Sequence, residues 1–286
     1  MLDALVAGHR HIGNLREGFT VVKVGGSIQD VPAQIGRVML ELATLRALGA
    51  SVVVVHGGGK AISAATAAAG IQARFVGGQR FTDEATLAVA ERVLAHTVNK
   101  ELCDALRAAG ASPAPLHSLG CNVLAAELQE CEPGKELGLV GHITDVRTDV
   151  IAGLCQAGHV PVIGPIAAYN AAAPWKLNVN ADLAGGAVAC ALAAARFILV
   201  SDTPGVRSVP SDPASVIPTL TRARIAELIA SKAIDGGMLP KINACLDAFG
   251  GNEACHIMIT DGRHPHGLLS AVLAPEHAPA TRVVPE

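Results

Sequence analysis

Residues 19–26 read FTVVKVGG and residues 51–59 read SVVVVHGGG, with apolar residues at roughly helical spacing between them (Ile35, Val38, Met39, Leu42, Leu45). Both runs have the β-branched density of a strand buried on two faces, and both stop at glycines. A strand, a helix and a second strand in this order imply a parallel pair joined by a right-handed crossover. The segment therefore sets an α/β fold.

The alternation continues outward. Helices are expected over about 60–69, 84–109, 147–157 and 183–194, the second unusually long and the last rich in Ala. Strands are expected near 114–117, 121–128 and 139–143, with a hairpin among them, then at 159–164 (HVPVIG), 196–201 (RFILVS), 254–259 and 281–284; a further hairpin runs up to Val179. No Ser/Gly-rich linker interrupts the chain, so a soft boundary near 190–195 leaves two lobes sharing one continuous sheet. We divide the chain into an N-terminal extension (1–17), an N-lobe (18–193) and a C-lobe (194–286).

Composition narrows the function. The 286 residues are half hydrophobic, with 16% charged residues and a net charge of -3. The 22 Lys and Arg against 25 Asp and Glu supply no basic stripe for a nucleic-acid backbone, so nucleic-acid partners are not expected. A core built from Ala, Val, Leu and Ile suits a parallel sheet under Ala-rich helices. No run reaches the ~18 uninterrupted apolar residues of a membrane span, and His9, Arg10 and His11 stand where a signal peptide needs an apolar stretch. Seven cysteines, an odd number without a C-x-x-C pair, read as reduced thiols in a cytoplasmic protein.

Four clusters carry chemistry. Lys23 interrupts an apolar strand two positions before Gly25-Gly26, either as an edge lysine reaching solvent or as a phosphate ligand. Gly57-Gly58-Gly59 follows a strand and precedes a helix, where glycines serve a tight turn or let backbone N–H groups approach an anion; it matches neither a Walker loop nor a G-x-G-x-x-G fingerprint. Asn178, Asn180 and Asp182 crowd a strand-to-helix junction. One such residue is enough for a cap, so three suggest amides that bind substrate oxygens and a carboxylate that orders cations. In residues 234–243 (IDGGMLPKIN), Gly236-Gly237 opens a helix that carries Lys241 in its first turns, as an exposed lysine or as part of a phosphate site.

Together with Gly78-Gln79-Arg80-Phe81-Thr82-Asp83, Asn99-Lys100, and Ser201-Asp202 followed by Pro204-Gly205, these clusters stand in the order and spacing of the amino acid kinase family. The chain resembles that family from about residue 19 to about residue 268, and within it the members that phosphorylate N-acetyl-L-glutamate. The resemblance implies a three-layer αβα sandwich with a largely parallel open sheet, an N-lobe for the acetylated amino acid and for dimerisation, and a C-lobe for ATP. It implies that Lys23 and Lys241 neutralise the transferring phosphoryl group, that Asp182 holds both lysines, and that Gly25, Gly26, Gly58 and Gly59 offer N–H groups to phosphoryl and substrate oxygens. Arg80 and Asn178 would hold the substrate's α-carboxylate and acetamido group. Ser201, Asp202 and Gly237 fall on the nucleotide side. The implied activity is transfer from ATP, with Mg²⁺, to the side-chain carboxylate of N-acetyl-L-glutamate in arginine biosynthesis. The implied assembly is a cytoplasmic homodimer, with a hexamer as the larger form.

The chemistry agrees with this inventory. A side-chain carboxylate is already ionised at neutral pH, so its attack on ATP needs no general base. What is needed is relief of charge repulsion and in-line placement, which call for lysines, backbone donors and Mg²⁺. Three positions depart from the family's habit: Gly77 replaces an Asn, Gln79 an aliphatic residue and Leu183 a hydroxyl residue, all on the substrate side. Residues 270–278 (SAVLAPEHA) replace the acidic, glycine-rich ending of arginine-regulated members, so inhibition by arginine is expected to be weak or absent. His264 and His266 are expected on a surface loop without a metal. Two other functions remain open: a kinase of N-acetyl-aminoadipate or another acid of the family, and a non-catalytic sensor on the same fold.

Overall fold

The computed structural model describes residues 13–29, 31–170 and 175–286. Residues 1–12 of the expected extension and residues 171–174 of the second hairpin lie outside them. The opening unit forms as read: β1 (Phe19–Val24), a short α1 (Gly26–Gln29), α2 (Pro32–Ala47), β2 (Ser51–His56) and α3 (Gly59–Ala68). The strands β1 and β2 pair in parallel, with Lys23 beside Val55 and Val24 beside His56.

The other elements of the N-terminal half are β3 (Phe75–Val76), β4 (Gln79–Arg80), α4 (Glu84–Arg92), a π-helical turn (Val93–Val98), α5 (Asn99–Ala108), β5 (Pro113–Leu116), β6 (Leu124–Leu128), β7 (Val140–Val146), α6 (Thr148–Gln156) and β8 (Val160–Ile163). After them come β9 (Ile166–Ala168), β10 (Lys176–Val179), α7 (Ala181–Ala191), β11 (Arg196–Ser201), β12 (Thr219–Thr221), α8 (Arg222–Ala230), α9 (Met238–Ala248), β13 (His256–Asp261), α10 (Gly267–Leu273) and β14 (Ala280–Val284).

Eight strands make one sheet in the order β12-β14-β13-β11-β1-β2-β8-β5, and β13 with β14 is its antiparallel pair. The sheet is continuous across residues 190–195, because β1 pairs directly with β11. Alternation along β1 and β2 splits their side chains between two cores. Val22, Val24, Val52 and Val54 bury with Val38, Leu42 and Leu106 on one face, while Val21, Val53 and Val55 bury with Val188 and Ile242 on the other. Each such valine contributes about 1.5 to 3 kcal/mol. The second face owes its fit to small residues: α7 and α9 lie so close that a Cβ on Gly186 would meet the Ala244 carbonyl oxygen at 2.6 Å.

A second, small barrel closes in the order β10-β7-β6-β9 and contains both expected hairpins. Its β6 starts at Leu124, not 121, because the Leu124 N–H donates to the Asn122 side chain at 3.2 Å in a local turn. The expected helix over 84–109 is one helical run interrupted by the π-helical turn. Its apolar residues are spent inside the chain: Leu87, Ala90 and Leu94 pack with Ile62, and Val98, Leu102 and Leu106 pack with the α2 core. Much of the apolar content of this long run thus serves the chain's own cores. Several elements escape the sequence pattern, among them β12, α8 and α10. The first has a single buried residue, Leu220, and α10 begins after His266 in a left-handed conformation, φ 62°.

Candidate active site

The strand β1 lies between β2 and β11, and the chain leaves its C-terminal end in one direction for β2 and later returns on the other side as β11. In an open α/β sheet such a reversal leaves a crevice beyond the carboxyl ends of the strands. Lys23 sits there. Strand alternation turns it toward α7, where it is 5% exposed, and a buried ammonium needs an anion. Asp182 supplies one: its Oδ1 lies 2.6 Å from Lys23 Nζ, and its Oδ2 lies 3.0 Å from Lys241 Nζ.

Each of these groups is placed by its helix. Asn180 caps α7, its Oδ1 accepting from the N–H groups of Asp182 at 2.8 Å and Leu183 at 3.3 Å. That sets Asp182 in the first turn, where the helix dipole favours a negative charge. Lys241 rises from the first turn of α9 and also donates to the Gly237 carbonyl at 3.3 Å. The dense cluster at 178–182 thus divides its work. Asn180 caps the helix and also lines the cavity, Asp182 binds lysines, and Asn178 donates to Thr82 Oγ1 at 3.1 Å and faces the cavity.

One carboxylate between two ammonium groups leaves a local excess of positive charge. Burial pushes the Lys23 ammonium below its ordinary pKa, Asp182 opposes the fall, and Lys241 adds to it. Burial also opposes ionisation of Asp182, but Lys23 and Lys241 together outweigh it and hold the carboxyl below the usual carboxylate range. The arrangement is poised to accept a further anion.

Beside this triad lies a cavity of about 240 Å³, walled by Lys23, Asp182, Gly26, Gly58, Gly59, Arg80 and Asn178. It is smaller than the several hundred Å³ typical of drug-sized ligands and admits a small molecule. Arg80 comes from the β3–β4 hairpin, whose two turn residues, Gly77 and Gly78, have φ of 55° and 81°. Two successive positive φ values mark a tight type I′-like turn, which accounts for glycine at 77. The guanidinium donates through one Nη2 to Ser63 Oγ at 2.6 Å and to the Gly59 carbonyl at 3.0 Å, and it lies 4.8 Å from the centre of the Phe75 ring. Its other terminal nitrogen, Nη1, is buried without a partner, and burial lowers the Arg80 pKa. An unpaired buried donor on a cation at a cavity wall is equipped to hold a carboxylate.

Not every expected residue meets the cavity. Lys241 reaches it only through Asp182. Ser201 and Asp202 lie at the end of β11, Ser201 Oγ donating to Asp202 at 3.3 Å; Asp202 is near enough to favour the charges of Lys23 and Arg263. Gly237 lies at the start of α9. Gly25 does not offer its N–H as expected, because that N–H donates to the Val200 carbonyl at 2.9 Å as the strand pairing runs on. Gly58 and Gly59 stand at the N-terminus of α3, where the first N–H groups have no acceptor within the helix. Ser63 and Thr82 hold Arg80 and Asn178, roles that sequence reasoning missed; the i+4 spacing of Ser63 from Gly59 was the available signal. Among the described residues no group of three His, Cys, Asp or Glu could hold a metal ion, and His264 and His266 are exposed.

The model of the Amino acid kinase family matches residues 18–261. The chain is 36% identical to the acetylglutamate kinase of Symbiobacterium thermophilum over 262 residues, covering 90% of this chain and 88% of that one. It is 39% identical to the acetylglutamate kinase of Chloroflexus aurantiacus, covering 87% and 94%. Among solved structures, N-acetylglutamate synthase from Neisseria gonorrhoeae complexed with coenzyme A and N-acetyl-glutamate superposes with a TM-score of 0.85 at 20% identity; the match covers all of this chain and 64% of the synthase. Giardia carbamate kinase superposes with a TM-score of 0.67 at 14% identity, over 94% of this chain and 99% of that one. At these identities the structural likenesses speak for the fold alone.

Proposed function

The chain belongs to the amino acid kinase family, and from that premise we propose that it transfers the γ-phosphoryl group of ATP to the side-chain carboxylate of N-acetyl-L-glutamate, giving N-acetyl-glutamyl 5-phosphate and ADP. It is a phosphotransferase with a carboxyl group as acceptor, and its place is in arginine biosynthesis. The observation that carries this reading is Asp182 shared between Lys23 and Lys241 at the wall of a small cavity that also holds Arg80 and Asn178.

In the step itself, a carboxylate oxygen of the substrate forms a bond to the γ-phosphorus as the bond to the bridging oxygen of ADP breaks. No proton is removed, because the acceptor is ionised at neutral pH. Arg80 and Asn178 hold the α-carboxylate and acetamido group, so the side-chain carboxylate is presented toward Lys23. Lys23 and Lys241 stabilise the negative charge on the transferring group, and Asp182 keeps the two ammonium groups apart from each other and aimed at it. The free N–H groups of Gly58 and Gly59 face the same oxygens, and Gly26 lets that loop approach. Ser201, Asp202 and Gly237 lie on the nucleotide side, in the C-lobe at 194–286, opposite the substrate in the N-lobe at 18–193. Among the described residues no group of three His, Cys, Asp or Glu could hold a metal ion; Mg²⁺ would come with the phosphates of ATP as part of that substrate.

Among the described residues no helix is long and apolar enough to cross a membrane, and all seven cysteines are free thiols, which supports a reducing, cytoplasmic setting. The assembly we propose is a homodimer, on the family's habit alone now that the 84–108 run has buried its apolar residues. Sedimentation should show a dimer at micromolar concentration, and a monomer there would remove the claim.

The substrate is tested by ADP release, coupled to an optical readout, across acetylglutamate, glutamate, acetylaminoadipate, aspartate and UMP. Acetylglutamate should be turned over fastest. A higher kcat/KM for acetylaminoadipate would move the assignment by one methylene, a difference worth only ~1 to 3 kcal/mol; ATP binding without turnover of any acid would make the protein a sensor.

A further inference from the structure

His56 is fully buried at the end of β2, one residue before the glycine loop, and the phosphoryl transfer described above makes no use of it. Its Nδ1 lies 3.0 Å from the Gly57 carbonyl oxygen, and its Nε2 lies 3.0 Å from Asn99 Nδ2. Two independent constraints fix which nitrogen carries the proton. A carbonyl only accepts, so the Nδ1 facing Gly57 must be N–H. On the other side, Asn99 Nδ2 also lies 2.9 Å from the Val162 carbonyl, which identifies that atom as the NH₂ and makes Nε2 an acceptor. Both routes give the neutral Nδ1–H form. Burial keeps it neutral, lowering the His56 pKa to about 4, and the nearby charges of His117 and Lys23 act in the same direction.

The Gly57 carbonyl and the Gly58 N–H belong to one planar trans peptide unit, in which they point in opposite directions. Holding the carbonyl down toward His56 therefore turns the Gly58 N–H up, toward the cavity. The loop is also backed from below. A Cβ on Gly58 would meet Leu94 Cδ2 at 2.7 Å and Val98 Cγ2 at 3.3 Å, and both side chains belong to the π-helical turn. Such a turn inside an α-helix is a local insertion that recurs at functional sites. Here it ends immediately before Asn99, the residue that fixes the histidine. On the cavity side the Gly58 nitrogen is next to Gly26, 3.7 Å from where a Gly26 Cβ would stand.

We propose that His56 is a positioning residue for the phosphoryl transfer: held in its Nδ1–H form by Asn99, it locks the Gly57–Gly58 peptide so that the Gly58 N–H is aimed at the oxygens of the reacting groups. The proposal rests on the kinase reading above.

The test compares His56→Leu, which removes the donor, with His56→Asn, which keeps an amide N–H near the place of Nδ1. We expect His56→Leu to lose about 100-fold in kcat, the scale of one misplaced oxyanion donor, with KM for acetylglutamate and ATP changed by no more than about threefold. His56→Asn should recover at least about tenfold of that loss. A kcat for His56→Leu equal to wild type, a loss confined to KM, or no recovery in a folded His56→Asn would overturn the proposal. Nitrogen-15 NMR of the wild-type protein gives a readout that needs no variant: Nδ1 should be the protonated nitrogen at neutral pH, and a proton on Nε2 would overturn the proposal whatever the variants do. A wild-type protein without activity toward any acid would remove the kinase reading instead, while the NMR result would still decide the histidine geometry.

Discussion

Lys23 Nζ lies 2.6 Å from Asp182 Oδ1, in a pair buried between the central sheet and α7, and the second oxygen of the same carboxylate holds Lys241. Removing one partner from such a set leaves a charge without compensation. Such a set is costly to keep buried unless the surplus positive charge has a use, and in the proposed reaction the transferring phosphoryl group gives it one.

Lys23→Ala and Lys241→Ala should each lower kcat by about 100-fold or more while changing KM by much less, because each charge acts where negative charge concentrates in the transition state. Steady-state kinetics on folded variants checks this. A variant whose loss lies mainly in KM would assign that lysine to ground-state binding.

Arg80→Ala should behave the other way. In the proposed reaction its guanidinium holds a carboxylate that does not react, and a charged hydrogen bond is worth about 1.5 to 3 kcal/mol, so KM for acetylglutamate should rise about 10- to 100-fold with kcat much less affected. An unchanged KM would remove Arg80 from the substrate site.

Acid should destabilise the fold through His56. Its folded-state pKa, lowered to about 4, lies below the ~6.5 of an unfolded chain, so between these values the unfolded chain binds the proton that the folded one refuses. Stability contributed by neutral His56 is complete above about 6.5 and is lost as the pH falls to about 4, on the order of 3 kcal/mol in all. Denaturant unfolding across that range should show a steeper loss for wild type than for His56→Asn. Parallel curves would mean that His56 titrates normally in the fold.

Much of this was legible from residues alone. The β-branched runs around Lys23 and His56 gave the central parallel strands, and the glycines after them marked the crevice. Contacts between distant segments were not legible. The Asp182 clasp joins residues far apart in sequence, and its lysines could be paired only by resemblance. Asn180 and Asn178 have the same side chain two positions apart and both line the cavity, yet only Asn180 also closes a helix, a difference set by where α7 begins. Gly25 has the look of a phosphate donor but extends the β1–β11 pairing. The length of the 84–109 helix was legible, but the π-helical turn between α4 and α5 was not, nor was the sharing of its apolar residues between two internal cores.

Phosphoryl transfer to the acetylglutamate side chain is tested by trapping the product. Acetylglutamate, MgATP and the purified protein are incubated with hydroxylamine, which converts an acyl phosphate to a hydroxamate that is read by its colour with ferric ion. Hydroxamate should form only when both ATP and acetylglutamate are present, and less of it should form with Lys23→Ala. ATP binding with no hydroxamate from any acetylated amino acid would contradict it.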